Sequence, residues 1–163
     1  DRNWTAQYSI GHLDHPEALE PWNQWRETAS LEYNRPIAAG NWATTAVWGR
    51  VHKIGSDTTL NSYLVESTLN FLRRDYAFTR MELVDKDELF PQAAVHPVYR
   101  IGAYTFGGVR DLVQNHAWQL GLGADVTVYS KPAVLDAAYG NYPVSFQIFL
   151  RMRPGLHAHA QNR

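Results

Sequence analysis

Four histidines, His12, His15, His52 and His96, stand near Asp14, Ser56 and Asp57 in stretches without strand patterning. A serine or aspartate beside an imidazole is the minimum equipment for hydrolysis, because the ring must take the proton from the nucleophile. None of these residues sits in the local sequence of a lipase, a deacylase or an aspartyl-type protease. Loop histidines are common without catalysis, so no catalytic residue and no enzymatic activity are expected.

Metal chemistry is equally thin. Asp85, Asp87 and Glu88 bunch carboxylates as calcium would want them, but they lack the glycine and the twelve-residue frame of an EF-hand, and a solvated acidic loop is the expectation. His157 and His159 belong to a C-terminal stretch, 156–163, read as a flexible tail. With no cysteine, thiolate zinc sites, iron–sulfur clusters, disulfides and cysteine nucleophiles are excluded together. No metal and no cofactor are expected.

A third set of charges has a different use. Glu32, Glu66, Arg80, Glu82, Arg100, Arg110, Asp125 and Arg151 fall at the polar positions of alternating segments. If they share one enclosed face, four acids and four bases neutralise each other and fill the space, since buried charges are tolerable only when paired. A plug of this kind is expected rather than a proton or ion path. A tight turn at 73–75 sets Glu66 level with Glu82 and leaves Arg80 diagonal to Glu66.

The elements that position these charges are strands. Sustained 3.6-residue periodicity is nearly absent, whereas period-two alternation recurs between Gly, Pro, Asn and Asp. Strands are expected at Asn3–Gly11, Arg26–Asn34, Asn41–Val51, Asn61–Leu72, Tyr76–Val84, Val98–Arg110, Ala117–Tyr129 and Pro143–Arg153. Pro16, Pro21, Pro36, Pro91, Pro97, Pro132 and Pro154 fall between them, and Pro143 opens a strand, where a missing N–H costs no ladder bond. Pro16–Glu20 and Ala133–Ala138 each suit a short helical turn. The fold class is all-β, an up-and-down antiparallel barrel of about eight strands, with 1–155 as its single domain. At 163 residues with 15 basic and 16 acidic side chains, the chain also lacks the positive field that a nucleic-acid partner requires.

Connections after strands one, three, five and seven are long, and those after two, four and six are short. Short turns at one rim and long loops at the other characterise barrels of bacterial outer membranes. The faces differ as well. In strand eight Val144, Phe146, Ile148, Leu150 and Met152 oppose Ser145, Gln147, Arg151 and Arg153. Strand seven sets Leu120, Leu122, Ala124, Val126 and Val128 against Gln119, Gly121, Gly123, Asp125 and Thr127. Strands one and four repeat the pattern. Alternation alone does not say whether the apolar face meets lipid or a soluble core. Strand length favours lipid, because a strand of this length tilted about 40° matches a ~25 Å apolar band. So do the rings Trp4, Trp25, Tyr33, Trp42, Tyr76, Trp118, Tyr129 and Tyr142, which fall near strand ends, where amphipathic aromatics suit a membrane–water interface; ordinary β propensity and a soluble core also accommodate them.

The stretches NWATTAVWGR (41–50), NSYLVESTLNF (61–71), VDKDELF (84–90), GAYTFGGVRDL (102–112) and PVSFQIFLRMRPG (143–155) resemble uncharacterised bacterial proteins of presumed outer-membrane type. The resemblance spans nearly the whole chain and implies no known activity. It implies instead the C-terminal part of a larger barrel, since those proteins are longer at the N-terminus. The final strand is similar to the assembly signal of such proteins, although here 155–163 follow it.

The resulting expectation is an integral outer-membrane barrel, a scaffold, surface or narrow channel protein whose partner is the lipid bilayer. Its outward loops are Leu13–Gln24, Lys53–Leu60, Asp85–Pro97 and Ser130–Tyr142, on which any binding partner would dock. Any export signal has been removed or lies outside these residues, because Asp1–Trp4 has neither a basic start nor an apolar stretch. The alternative is a soluble lipocalin-like barrel holding a small hydrophobic ligand; it would be expected to show Gly-x-Trp near the first strand, which is missing here.

Overall fold

The computed structural model describes residues 2–16, 22–90 and 97–155. Eight strands follow one another: β1 (Trp4–Leu13), β2 (Gln24–Ile37), β3 (Gly40–Lys53), β4 (Thr58–Phe71), β5 (Asp75–Lys86), β6 (Tyr99–Gln114), β7 (Trp118–Ser130) and β8 (Val144–Pro154). A 3-10 turn at Ala133–Leu135 and a one-turn helix, α1 (Asp136–Tyr139), lie between β7 and β8. The strands form one antiparallel sheet in chain order, β1 beside β2 and so on to β8. Among the described residues β1 and β8 are not paired with each other, so the sheet has two free edges.

All eight expected strands are present, and most extend past the alternating core of their sequence because each ladder continues into its turn. Pro36 and Pro154 are corrections: Pro154 ends β8 opposite Trp118, and Pro36 lies inside β2, opposite Asn41, one pair before Ile37 meets Gly40. That position near the strand end is where a missing N–H is tolerated. Gly40 itself is required by close approach, since a Cβ there would stand 2.0 Å from the Asn70 carbonyl oxygen.

The connections at one rim are two, three and three residues long, against ten, four, twelve and thirteen at the other. Backbone bonds stitch the short rim together, with Arg73 N donating to Ala39 O, Asp111 N to Arg74 O and Gly155 N to Ala117 O. Leu72 and Arg73 take left-handed φ angles of 52° and 62°. The turn therefore begins at Leu72, and Phe71 pairs with Asp75. This corrects the expected register by two residues: Arg80 is directly opposite Glu66, and Glu82 is opposite Leu64.

Pairing assigns every strand residue to one of two faces. One carries Tyr8, Leu31, Val65, Met81, Phe106, Val126 and Ile148, all exposed; Val65 is 44% accessible and Ile148 70%. The other carries Gln24, Lys53, Asp111, Gln119 and Thr127, all buried. Among the described residues the only buried apolar side chains are Val109 and Leu135. The molecule thus inverts the usual distribution, in which large aliphatics are interior and charges exterior.

Glycines make room on the polar face. A Cβ at Gly107 would lie 2.3 Å from the Phe78 ring and 2.7 Å from Asp125 Cβ, while one at Gly123 would lie 2.5 Å from the Phe149 ring. Phe78 and Phe149 lean over these positions from β5 and β8 until their centroids are 6.4 Å apart. Gly107→Val is expected to destabilise the fold by about 1–3 kcal/mol through overpacking. Gly11→Ala, whose Cβ meets nothing within 4 Å, is the matched control; urea unfolding of both variants checks the difference.

Candidate functional site

The polar face is built row by row. One hydrogen-bonded row runs across all eight strands through Thr5, Glu32, Thr45, Glu66, Arg80, Thr105, Thr127 and Ser145. Every residue in it is charged or carries a hydroxyl. Arg80 Nη2 donates to Glu82 Oε1 at 2.5 Å, and its Nη1 lies 3.7 Å from Glu66 Oε2. The Thr105 and Thr127 hydroxyls bond to each other at 2.8 Å. The side chains of Glu66 and Arg80 remain 48% and 50% accessible, so this row stands over open space.

Toward the short-turn rim the same face holds a tighter cluster. Asp111, 1% accessible, accepts from Arg151 Nη2 at 2.7 Å, from Arg153 Nη2 at 2.6 Å and from Gln114 Nε2 at 3.0 Å. Arg153 also donates to Tyr76 Oη and to Gln119 Oε1, each at 2.5 Å. Both guanidiniums cover the Tyr76 ring, with Cζ 4.1 Å from the centroid for Arg151 and 5.0 Å for Arg153. One carboxylate thus holds two arginines, and cation–π attraction adds to the pairing.

Of the eight charges expected on one face, Glu32, Glu66, Arg80, Glu82, Asp125 and Arg151 share it by register. Arg100 and Arg110 do not. Both have the parity of Tyr104 and Phe106, and they pair across the other face with Asp85 and Asp75. The expectation failed because β6 has near-continuous apolar and glycine content, so its alternation is weak. Asp111 was missed because the strand was expected to end at Arg110; it continues the odd-numbered polar positions of β6, and only beyond it does a bulge turn Val113 to the apolar face. Arg153 was legible as polar-face, but its role in the cluster depends on Asp111.

The opposite face carries an apolar band with charged borders. On β6 the band runs over Gly102, Tyr104, Phe106 and Gly108 between Arg100 and Arg110, and on β5 over Ala77, Thr79, Met81 and Leu83 between Asp75 and Asp85. Asp85 accepts from Arg100 Nε at 2.8 Å and from the Asn61 backbone at 3.0 Å. Arg110 lies 3.4 Å from Asp75, and Arg50 lies 3.6 Å from Glu27. Two polar groups inside the band are satisfied within the sheet: Trp42 Nε1 donates to Ser67 Oγ at 2.9 Å, and Thr44 Oγ1 is 2.8 Å from the same atom.

Three rings form a ladder at the short-turn end of this face, Trp4 on Tyr33 at 4.6 Å and Tyr33 on Trp42 at 5.4 Å. Trp118 lies on the same face, opposite Pro154. Trp25 stacks with His12 at 4.9 Å near the long-loop end. The other three expected interface rings are corrections. Tyr76 faces the polar side beneath the arginines. Tyr129 pairs with Ala103 on the polar side, its hydroxyl 3.3 Å from Ser145 Oγ. Tyr142 lies in the β7–β8 connection and is 90% exposed.

The loop histidines go to separate partners: His12 to Trp25, His15 Nδ1 to Asp14 at 2.9 Å, and His52 Nδ1 to Thr59 Oγ1 at 3.0 Å. His96, His157 and His159 lie outside the described residues. The carboxylates of the acidic loop are dispersed, Asp85 to Arg100 and Asp87 to Lys53 at 2.9 Å, with Glu88 3.9 Å from Lys53. Among the described residues no group of three His, Asp or Glu could hold a metal ion. The chain matches no protein-family model, no curated protein and no solved structure.

The two charge groups should respond differently to substitution. Asp111→Asn leaves two arginines without their carboxylate and is expected to cost roughly 3 kcal/mol, at the low end for a buried pair because the arginines are partly accessible. Glu66→Gln, at a half-exposed pair, should cost under about 1 kcal/mol. Arg80→Glu sets three carboxylates together and should fall between the two. Thermal unfolding in detergent checks the order, and equal effects would refute the contrast.

Proposed function

We propose that this sheet is the wall of an integral outer-membrane β-barrel, with its apolar face to lipid and its polar face to the interior. The observation that carries the reading is the exposed apolar band and its borders. Arg100 and Arg110 are ten residues apart on β6. Ten residues of strand rise about 33 Å. At a tilt near 40° they climb about 25 Å, the height of the apolar band on outer-membrane barrels. Sorting of the connections, three long ones and the four-residue 54–57 at one rim against two or three residues at the other, supports the same orientation, with the long loops to the cell exterior.

The Trp42, Thr44 and Ser67 side chains of the band, bonded to one another, also fit a medium that offers no hydrogen bonds. The Trp4–Tyr33–Trp42 ladder suits the membrane–water interface at the short-turn side. The polar face, with its paired charges and hydroxyl row, suits a wet interior, and the function proposed for it is that of a scaffold or narrow channel. A lipocalin-like barrel would need Leu122, Val126, Phe146, Ile148 and Leu150, all solvent-accessible, around an internal ligand.

The test is heat-modifiable gel migration after refolding, once with detergent micelles and once in plain buffer. A compact band that requires micelles and disappears on boiling is expected; a monodisperse folded protein in plain buffer would overturn the proposal. Phe106→Arg, at mid-band, should cost about 2–4 kcal/mol in lipid, while Phe106→Leu should cost much less. Equal stability of the two would place Phe106 away from lipid.

A further inference from the structure

The charges of the sheet are sorted by rim. Within four residues of the short-turn strand ends, the described residues include seven arginines but only two acids, Asp75 and Asp111. The long-loop end mixes both signs, with Asp14, Asp57, Asp87 and Glu88 near Lys53 and Lys131. Of the seven arginines, Arg151 and Arg153 belong to the Asp111 cluster and Arg110 to Asp75. The other four, Arg2, Arg35, Arg73 and Arg74, are exposed and form no ion pair among the described residues.

These four are set beside one another. Asn34 N donates to Asn3 O at 2.8 Å, which carries the β1–β2 ladder one pair past Trp4 and Tyr33. One pair further the chain sets Arg2 beside Arg35. Arg73 and Arg74 are consecutive in the β4–β5 turn, and Arg73 N donates to Ala39 O at 3.0 Å, which brings that turn alongside the β2–β3 turn. Like charges placed together repel. The arrangement therefore calls for a counter-anion, and no described carboxylate serves as one.

The turn adds an apolar contact. Leu72 is 69% accessible with a φ of 52°, and Arg73 follows at 62°. Left-handed backbone favours glycine or asparagine; leucine there costs strain and leaves a large apolar side chain outside the fold. Ile37 is likewise exposed beside the neighbouring turn. An apolar side chain flanked by guanidiniums matches the boundary between acyl chains and headgroups, where the aliphatic part sinks and the cation stays at the phosphates. Height agrees with this. Arg35 is two residues beyond Tyr33 on the same face of β2, about 7 Å further toward the rim than that ring of the ladder.

We infer that the short-turn rim is a docking surface for anionic phospholipid, with Arg2, Arg35, Arg73 and Arg74 holding the phosphates of the adjacent leaflet and Leu72 anchoring the turn among the acyl chains. Guanidinium and phosphate suit each other through paired N–H donors. A zwitterionic headgroup brings its own cation and leaves the repulsion among the arginines in place. The collar therefore selects lipid of net negative charge.

The inference rests on the barrel-wall reading, and the test separates the two. It is native mass spectrometry of the chain refolded in micelles, with phosphatidylglycerol or phosphatidylcholine added in turn. Phosphatidylglycerol is expected to be retained on the folded protein and phosphatidylcholine not. Combined Arg35→Gln, Arg73→Gln and Arg74→Gln should lower that retention tenfold or more, since each basic side chain at an anionic surface contributes about fivefold. Arg35→Gln alone, on a strand rather than in a turn, should lower it about fivefold and guards against misfolding of the turn. Arg50→Gln, at the long-loop end of β3, should leave it unchanged. Equal retention of the two lipids by the unsubstituted chain overturns the inference, as does a preference that survives these rim substitutions. Full competition by millimolar glycerol phosphate would assign the arginines to free phosphate esters and overturns it too. If the micelle-dependent, heat-modifiable band persists without a lipid preference, only the lipid site fails, whereas loss of that band removes the barrel reading as well.

Discussion

A strand has two sides, and every residue of it must go to one or the other. This constraint governs the whole sheet, because hydrogen bonding fixes neighbouring strands in register and passes the parity of each to the next. The seven registers together set the row from Thr5 through Glu66 and Arg80 to Ser145, and with it the row from Trp4 to Phe146 on the reverse. Neither face can be altered at one strand without moving every side chain of that strand. The bulge between Asp111 and Val113 is the place where the rule is relaxed, and it turns Val113 to the apolar side and Gln114 to the polar side while leaving Leu112 exposed.

From this constraint the energetics divide by face. The polar face gains from pairing and from hydrogen bonds among buried groups, strongest where Asp111 serves Arg151 and Arg153 together. Little of its stability comes from apolar burial inside the sheet, since only Val109 and Leu135 are buried aliphatics among the described residues. In water such a molecule leaves its largest favourable term unused. A surrounding apolar medium would supply it, which is why the proposed lipid contact and the sheet's stability are the same question. The ladder of rings at one end and the ion pairs bordering the band set where that medium would stop.

Much of this architecture was legible in the residues. Eight alternating segments, the prolines at their limits and the unequal connections specify the strand order, because a two-residue period and a tight turn leave a chain few alternatives to pairing with its neighbour. The apolar faces of β1, β4, β7 and β8 could be read residue by residue. The charged set was read with less success. Six of the eight residues share a face, but Arg100 and Arg110 belong to the border of the apolar band, and Tyr76 and Tyr129 turn toward the polar side.

Those errors have separate origins. Amino-acid sequence determines alternation within a strand, since successive side chains must diverge, so Tyr76 shares the face of Arg80 and Tyr129 that of Asp125. It does not determine which residues of one strand meet which of the next. That choice is made by the turn. At Leu72 and Arg73 two left-handed residues move the β4–β5 pairing by two positions, which changes the partner of Glu66 but not its face, and on glycine-rich β6 no clear alternation remains to mark the faces. The sequence alone therefore settled the number, direction and order of the strands. Only the tertiary structure decided that the apolar face is the exposed one, that Asp111 gathers two arginines from β8, and that among the described residues β1 and β8 are not paired with each other, because each depends on pairing between strands rather than on the chemistry of any one of them.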